Sequence, residues 1–146
     1  MKILRDILTD ECGVVDIERL GSHATDRETA LGTEVSGICS DSRKVTPGCA
    51  FIAVQGAACD GHDFIGKAAE AGAAVIVYDD RTAAEKSLAE AGVFSGDIVL
   101  VQVKSTRHAL GFIASAWFDN PSRRLRLVGI TGTNGKTTTV TLLYRL

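Results

Sequence analysis

The sequence predicts an α/β layer fold, a mixed or parallel sheet flanked by helices. Three observations carry that prediction. Between residues 34 and 118 short β-prone apolar runs alternate with helical patterns, at a spacing that lets crossover helices join parallel strands. Turn and stop residues, among them Pro47, Gly48 and Gly72, punctuate the alternation. Beyond residue 124 a further apolar run opens into a glycine-rich stretch and the first turns of a helix.

The elements follow in order. Ile3, Leu4, Ile7 and Leu8 recur at helical spacing and predict a short amphipathic first helix. From residue 10 to about 33 the chain is polar and weakly patterned, and it reads as loop. EVSGICSDS, from Glu34, and AFIAVQG, from Ala50, read as two strands separated by RKVTPG, whose Pro47-Gly48 pair marks a turn. DGHDFIGKAAEAG then offers Asp60 or Asp63 as an N-cap, apolar positions at Phe64, Ile65, Ala68 and Ala69, and Gly72 as a stop. That helix runs into the strand AAVIVY. A helix over about residues 82–91, the strand DIVLVQV and a longer helix over about 105–118 complete the alternation. DNPSRR, residues 119–124, is the expected linker, its arginines belonging to a solvated hinge rather than an anion site. The strand LRLVGI, a glycine loop and the helix KTTTVTLLYRL follow.

With 146 residues, 45% of them hydrophobic and only two prolines, the chain can bury one globular core and the start of a second. A net charge of −2 gives no global field to attract nucleic acid or an anionic membrane, so any phosphate recognition is local. Charges at Lys2, Arg5, Asp6, Asp10 and Glu11 interrupt the first residues before a signal peptide or membrane span can form, and the expected compartment is the cytoplasm. Cys12, Cys39, Cys49 and Cys59 lie 27, 10 and 10 residues apart, without a CxxC or a histidine in zinc-ligand spacing. Reduced, partly buried thiols are expected. His23, His62 and His108 are scattered and read as surface or helix-capping residues rather than a metal site.

The glycine-rich stretch is VGITGTNGKTTTV, residues 128–140. The strict phosphate-loop pattern is G-x-x-x-x-G-K-[ST]. Gly135, Lys136 and Thr137 fit its second half, but Ile130 stands where the first glycine is required, with Gly129 one place early and Gly132 inside the loop. The mechanism survives the mismatch. An apolar strand leading into a glycine turn that opens a helix aims backbone N–H groups and a helix N-terminus at one anion. A plain Gly-Asn turn is the competing explanation, and the flanking strand and helix favour the phosphate loop. Asn134 and Gly135 suit the tight or positive φ values such a turn demands. Lys136 would reach the β- and γ-phosphates of a nucleotide and is the candidate catalytic residue, while the Thr137 hydroxyl would ligate Mg²⁺. Gly132, Thr133, Asn134, Gly135, Lys136, Thr137 and Thr138 are the candidate cofactor-binding residues.

TGTNGKTTT resembles the variant phosphate loop of the Mur ligase superfamily, ATP-dependent amide-bond-forming enzymes of peptidoglycan synthesis. Folylpolyglutamate synthases, which share the loop, typically carry Gly-Ser after the lysine where this chain has Thr137-Thr138. Upstream, SDSRKVTPGCAFIAVQGAACDGHDFIGKAAEAGAAVIV, residues 40–77, resembles the N-terminal uridine-nucleotide-binding domain of the MurE type, which adds the third residue, and the MurF type, which adds a dipeptide. WFDNPSRRLRLVGITGTNGKTTT, residues 117–139, is closer to the MurE type, because the dipeptide-adding ligases usually have Ser-Ser or Asn-Ser where Thr133-Asn134 stands here. The likeness covers nearly all the chain from Ile38 onward.

The resemblance implies three parts: a UDP-MurNAc substrate-binding domain over residues 1–118, a linker over 119–124, and the truncated start of an ATP-binding domain over 125–146. It implies that Ser40 and Ser42 lie at the uridine end of the substrate and that Ala57, Ala58 and Cys59 lie beside the same nucleotide, Cys59 through its backbone. Asp60, Gly61 and His62 would shape that loop. Read from the residues alone, Asp41-Ser42-Arg43 is a polar strand end, and Asp41 offers Arg43 an internal partner. The implied reaction phosphorylates the D-glutamate side-chain carboxylate of UDP-MurNAc-L-Ala-D-Glu with ATP, and a diamino acid, meso-diaminopimelate or L-lysine, attacks the acyl phosphate. The chain is expected to be an N-terminal fragment, inactive alone, with weak or no ATP affinity. Neither nucleic acid nor membrane is expected as a partner. A MurF-type fragment and a non-catalytic UDP-muramoyl-peptide-binding module are the rival expectations.

Overall fold

A computed structural model describes residues 1–20, 27–56, 59–94, 96–125 and 129–144. In chain order the elements are β1 (Lys2–Ile3), α1 (Leu4–Ile7), β2 (Val14–Arg19), α2 (Arg27–Leu31), β3 (Glu34–Val35), β4 (Ile38–Cys39), β5 (Ala50–Ile52), α3 (Ile65–Glu70), β6 (Val75–Tyr78), α4 (Arg81–Glu90), β7 (Val99–Val103), α5 (Thr106–Trp117) and α6 (Lys136–Tyr144). The main sheet has the order β2-β7-β6-β5-β4, and a small second sheet pairs β1 with β3. β4, β5, β6 and β7 are parallel, and β2 closes one edge antiparallel to β7.

The parallel strands read as apolar runs because both of their faces are covered. Val75, Val77, Val99 and Val101 face α1 and α5 in one core, joined by Ala50 and Ile52. Phe51, Ile76 and Leu100, which are in register across three strands, face α3 and α4 in the other. The strands β4 to β7 step across the sheet in one direction, so right-handed crossovers put α3 and α4 on the same side. These two helices approach closely at Gly66, whose N–H donates to the buried Ser87 hydroxyl at 3.0 Å. Of the two caps offered for the third helix, Asp60 is used, at the 3-10 turn that precedes α3, and two further caps join it. Asp60, Asp80 and Ser105 accept N–H groups at the starts of the 3-10 turn Gly61–Phe64, of α4 and of α5.

Three expectations are corrected. Residues 10–33 are not simply loop: Asp10–Cys12 forms a 3-10 turn, and β2 and α2 follow. Only Ile17 of β2 is buried, so no alternating pattern marks it, and its pairing with β7 makes it a strand. The single strand expected from Glu34 is two, β3 and β4, in different sheets. The break at Ser36-Gly37 is held by the Ser36 N–H donating to Gly48 O, while Gly37 O accepts from Ala50 N. Finally, His62 is buried rather than on the surface, whereas His108 is exposed at the start of α5. His23 lies outside the described residues.

The segment expected as a hinge is tied back at its start. Asp119 and Asn120 adopt left-handed φ values of 60° and 50°, Asn120 N donates to Ser115 O, and Lys2 pairs with Asp119. Pro121–Arg124 then forms a 3-10 turn with both arginines exposed. Of the strand expected over LRLVGI, residues 126–128 lie outside the described residues; Leu125, Gly129 and Ile130 carry no strand pairing. α6 forms where the sequence places it and buries none of its described residues. Among the described residues no helix is long and apolar enough to cross a membrane.

Candidate functional site

Parallel strands all end on one side, and in open α/β sheets the crevice outside their carboxyl ends is where ligands bind. The loop after β4 and the loop after β5 enclose such a crevice, a cavity of about 540 Å³. Ser40 and Ser42 line it from the first loop and Cys59 from the second, so three candidates that one resemblance assigned to the same nucleotide share one space. Ala57 and Ala58 lie outside the described residues. Phe51, Phe64 and Leu110 supply apolar walls that the sequence reading missed. Leu110 comes from α5, far along the chain, and no local signal could have found it. A hollow of about 460 Å³ beside Lys2, Glu34 and Asp119 contains none of the candidates.

The first loop is shaped by Asp41. Its carboxylate accepts the Arg43 N–H at 3.1 Å, which starts the 3-10 turn Ser42–Lys44. The same carboxylate takes the Arg43 guanidinium as a fork, with Nε to Oδ1 and Nη2 to Oδ2 both at 2.9 Å. These bonds hold the Asp41 carboxyl down at about 2. Arg43 is therefore partnered inside its own loop, as its neighbour led us to expect, and Ser40 and Ser42 are left as the neutral polar groups of this wall.

The second loop is a tight reversal. Gly56 N donates to Cys59 O at 3.0 Å, Gly61 N donates to Val54 O at 3.1 Å, and Gln55 bridges Asp60. Gly61 has no room for a side chain, since a Cβ there would sit 2.6 Å from Val54 O. From α5, Arg107 Nη2 donates to Gln55 O at 2.9 Å. Asp60 lies at the foot of the loop, its carboxyl held low chiefly by the His62 N–H.

The thiols differ by place. Cys12 and Cys49 are buried, Cys39 is half-buried, and Cys59 is exposed at the cavity. All four are free, and Cys39 Sγ lies 3.7 Å from Cys49 Sγ. Burial, then the neighbouring Cys49, pushes the Cys39 thiol up to about 12, so it stays protonated and unreactive at pH 8. Iodoacetamide at pH 8 should accordingly modify Cys59 first, with Cys12, Cys39 and Cys49 protected until the chain is unfolded; peptide mapping after a timed quench reads this. Equal labelling of Cys39 and Cys59 would contradict the placement.

The phosphate-loop candidates Gly132, Thr133, Asn134, Gly135, Lys136, Thr137 and Thr138 are contiguous and exposed. Gly135, at φ 78°, makes the turn that enters α6, so Lys136 and Thr137 begin a helix of nine residues. Lys136 Nζ donates to Gly132 O, closing the loop on itself, and the hydroxyls of Thr139 and Thr141 donate to carbonyls one turn back. A left-handed glycine before a helix N-terminus with a lysine in its first turn fits an anionic phosphate.

Fold and site together define an α/β protein with a crevice at the carboxyl ends of its parallel strands and an exposed glycine-rich turn that opens a helix further along the chain. The profile of the Mur ligase family, catalytic domain, matches residues 34–118, and the chain belongs to this family. Among its relatives, a UDP-N-acetylmuramoyl-L-alanyl-D-glutamate--2,6-diaminopimelate ligase of Cytophaga hutchinsonii is 50% identical over 113 residues, covering 77% of this chain and 22% of that protein. A ligase of the same name from Parabacteroides distasonis is 43% identical over 117 residues, covering 80% and 22%. A UDP-N-acetylmuramyl-tripeptide synthetase of Roseiflexus is 42% identical over 114 residues, covering 77% and 20%. The match thus spans about a fifth of these relatives' length. A crystal structure of MurF from Acinetobacter baumannii overlaps 77% of this chain and 23% of its own, at 27% identity and a TM-score of 0.45.

Proposed function

We propose that the cavity between the β4 and β5 loops binds the uridine-diphosphate end of a UDP-N-acetylmuramoyl peptide. We further propose that the whole protein is a MurE-type ligase, which adds a diamino acid to UDP-MurNAc-L-Ala-D-Glu using ATP in peptidoglycan synthesis. The observation that carries the first reading is the meeting of Ser40, Ser42 and Cys59 on one cavity of about 540 Å³, within the size range of small-ligand pockets. The names of the relatives support the MurE type over the MurF type. Residues 1–118 form the substrate domain in this reading, 119–124 the linker and 125–146 the beginning of the ATP-binding domain.

The roles divide accordingly. Ser40 and Ser42 offer hydroxyls that hydrogen-bond the uridine end, and Cys59 contributes its backbone. Phe51, Phe64 and Leu110 exclude water around the ligand. The phosphate loop, Gly132 to Thr138, would hold Mg-ATP, which supplies the phosphoryl group; Lys136 neutralises phosphate charge and the Thr137 hydroxyl faces the metal.

A calorimetric titration tests the assignment. UDP-MurNAc-L-Ala-D-Glu and UDP should each bind the 146-residue chain saturably at one site, and Ser42→Ala should weaken both by roughly 3- to 10-fold, the value of one hydrogen bond. MgATP should give little heat, because Gly132 to Thr138 and the described residues of α6 are all exposed. Binding unchanged by Ser42→Ala, or no binding of either uridine ligand, would reject the assignment.

A further inference from the structure

The imidazole of His62 is 2% exposed and lies between the cavity loop and the C-terminal end of β6. Its Nδ1 is 2.6 Å from Asp60 Oδ1, at the foot of the reversal that carries Cys59. Its Nε2 is 3.3 Å from the backbone nitrogens of both Asp79 and Asp80 and 3.0 Å from Asp79 Oδ1. This turn therefore presents two backbone donors and a carboxylate acceptor to the same ring nitrogen. Asp79 is itself fixed, because its Oδ2 accepts the Thr106 N–H at 2.8 Å and the Thr106 hydroxyl at 3.0 Å at the start of α5. α5 in turn carries Leu110 of the cavity wall and Arg107, which holds Gln55 O.

We infer that His62 is a positioning residue for ligand binding, tying the β5 loop to the β6 and α5 ends so that the cavity is held at its bound width. The inference rests on the assignment of this cavity to the UDP ligand. A buried polar group bonded at both ends fixes the elements it joins, and one that loses an end leaves an unpaired partner in place. The tether to Asp79 and Asp80 is the part that reaches outside the loop. The bond to Asp60 lies within the loop, and the Asp60 carboxylate has the His62 N–H as a second partner at 3.0 Å.

The two ends can be separated by substitution. The glutamine amide reaches the Nε2 position and can offer oxygen or nitrogen there, so His62→Gln keeps the tether. The asparagine amide reaches only the Nδ1 position, so His62→Asn keeps the loop bond and loses the tether. Hydrogen exchange at the Gly56 and Gly61 amides, which close the loop on Cys59 O and Val54 O, reads loop order, and a titration with UDP reads binding. His62→Gln should match the parent chain within about threefold in both measurements. His62→Asn should exchange these two amides roughly tenfold faster and bind UDP about tenfold more weakly, at a melting temperature close to that of the glutamine variant. Equal behaviour of the two variants, or loss that simply follows melting temperature, overturns the inference. If the parent chain does not bind UDP, the cavity assignment fails, and the exchange of Gly56 and Gly61 alone then decides whether His62 orders the loop.

Discussion

Gly66→Ala should cost the chain about 1–3 kcal/mol of stability, as overpacking of a tight core contact does. In an exposed helix the same change is favourable by nearly 1 kcal/mol, because alanine restricts the unfolded chain and favours the helix. Here sterics decide the sign. An added Cβ would lie 2.4 Å from the Ser87 carbonyl oxygen on α4 and 2.6 Å from Ala91 Cβ at its C-cap. The oxygen is backbone and cannot rotate away, so α3 must move off α4 and stretch the bond from Gly66 N to the buried Ser87 hydroxyl. Urea unfolding should show a lower midpoint with an unchanged slope. A variant as stable as the parent would mean that the helices do not meet this closely.

Gly61→Ala should remove ligand binding more completely than any serine substitution. Its Cβ would meet Val54 O at 2.6 Å, Val54 N at 2.7 Å and the Ala53 carbonyl carbon at 3.0 Å, all of them backbone at the end of β5. Relief requires the loop to leave the strand, which breaks the Gly61 N–H bond to Val54 O and moves Cys59 and the Asp60–His62 contact with it. With that bond lost and the Cys59 wall displaced, we expect a loss of affinity for UDP larger than that of a single hydrogen bond, more than about tenfold. Titration of the variant checks this, and a loss under threefold would contradict the close approach.

What the sequence made legible depended on how local each cause is. β6 and β7 were readable because both faces of each are buried and the residues say so without help from distant chain. α3 was readable from the Asp60 cap of the turn before it and the Gly72 stop after it, signals that act within a turn. β2 was not, because a single buried residue, Ile17, gives no alternation and its partner β7 is more than eighty residues away. The site divides in the same way. Composition saw only a polar strand end at Asp41-Ser42-Arg43; the family resemblance picked Ser40, Ser42 and Cys59, and the fold brings these three to one cavity. Phe51, Phe64 and Leu110 were invisible as site residues since an apolar side chain reads as core wherever it stands. His62 read as a surface or helix-capping residue because its burial is set by residues 79 and 80, a strand away.

A uridine-nucleotide ligand is proposed to occupy the space between the β4 and β5 loops. Amide chemical-shift mapping of the ¹⁵N-labelled chain during a titration with UDP-MurNAc-L-Ala-D-Glu tests it most directly. The largest changes should fall on residues 40–43 and 56–61 and saturate together, with Gly132 to Thr138 nearly unmoved. Changes centred on the phosphate loop or on the hollow beside Lys2 and Asp119, with the β4 and β5 loops silent, would contradict it.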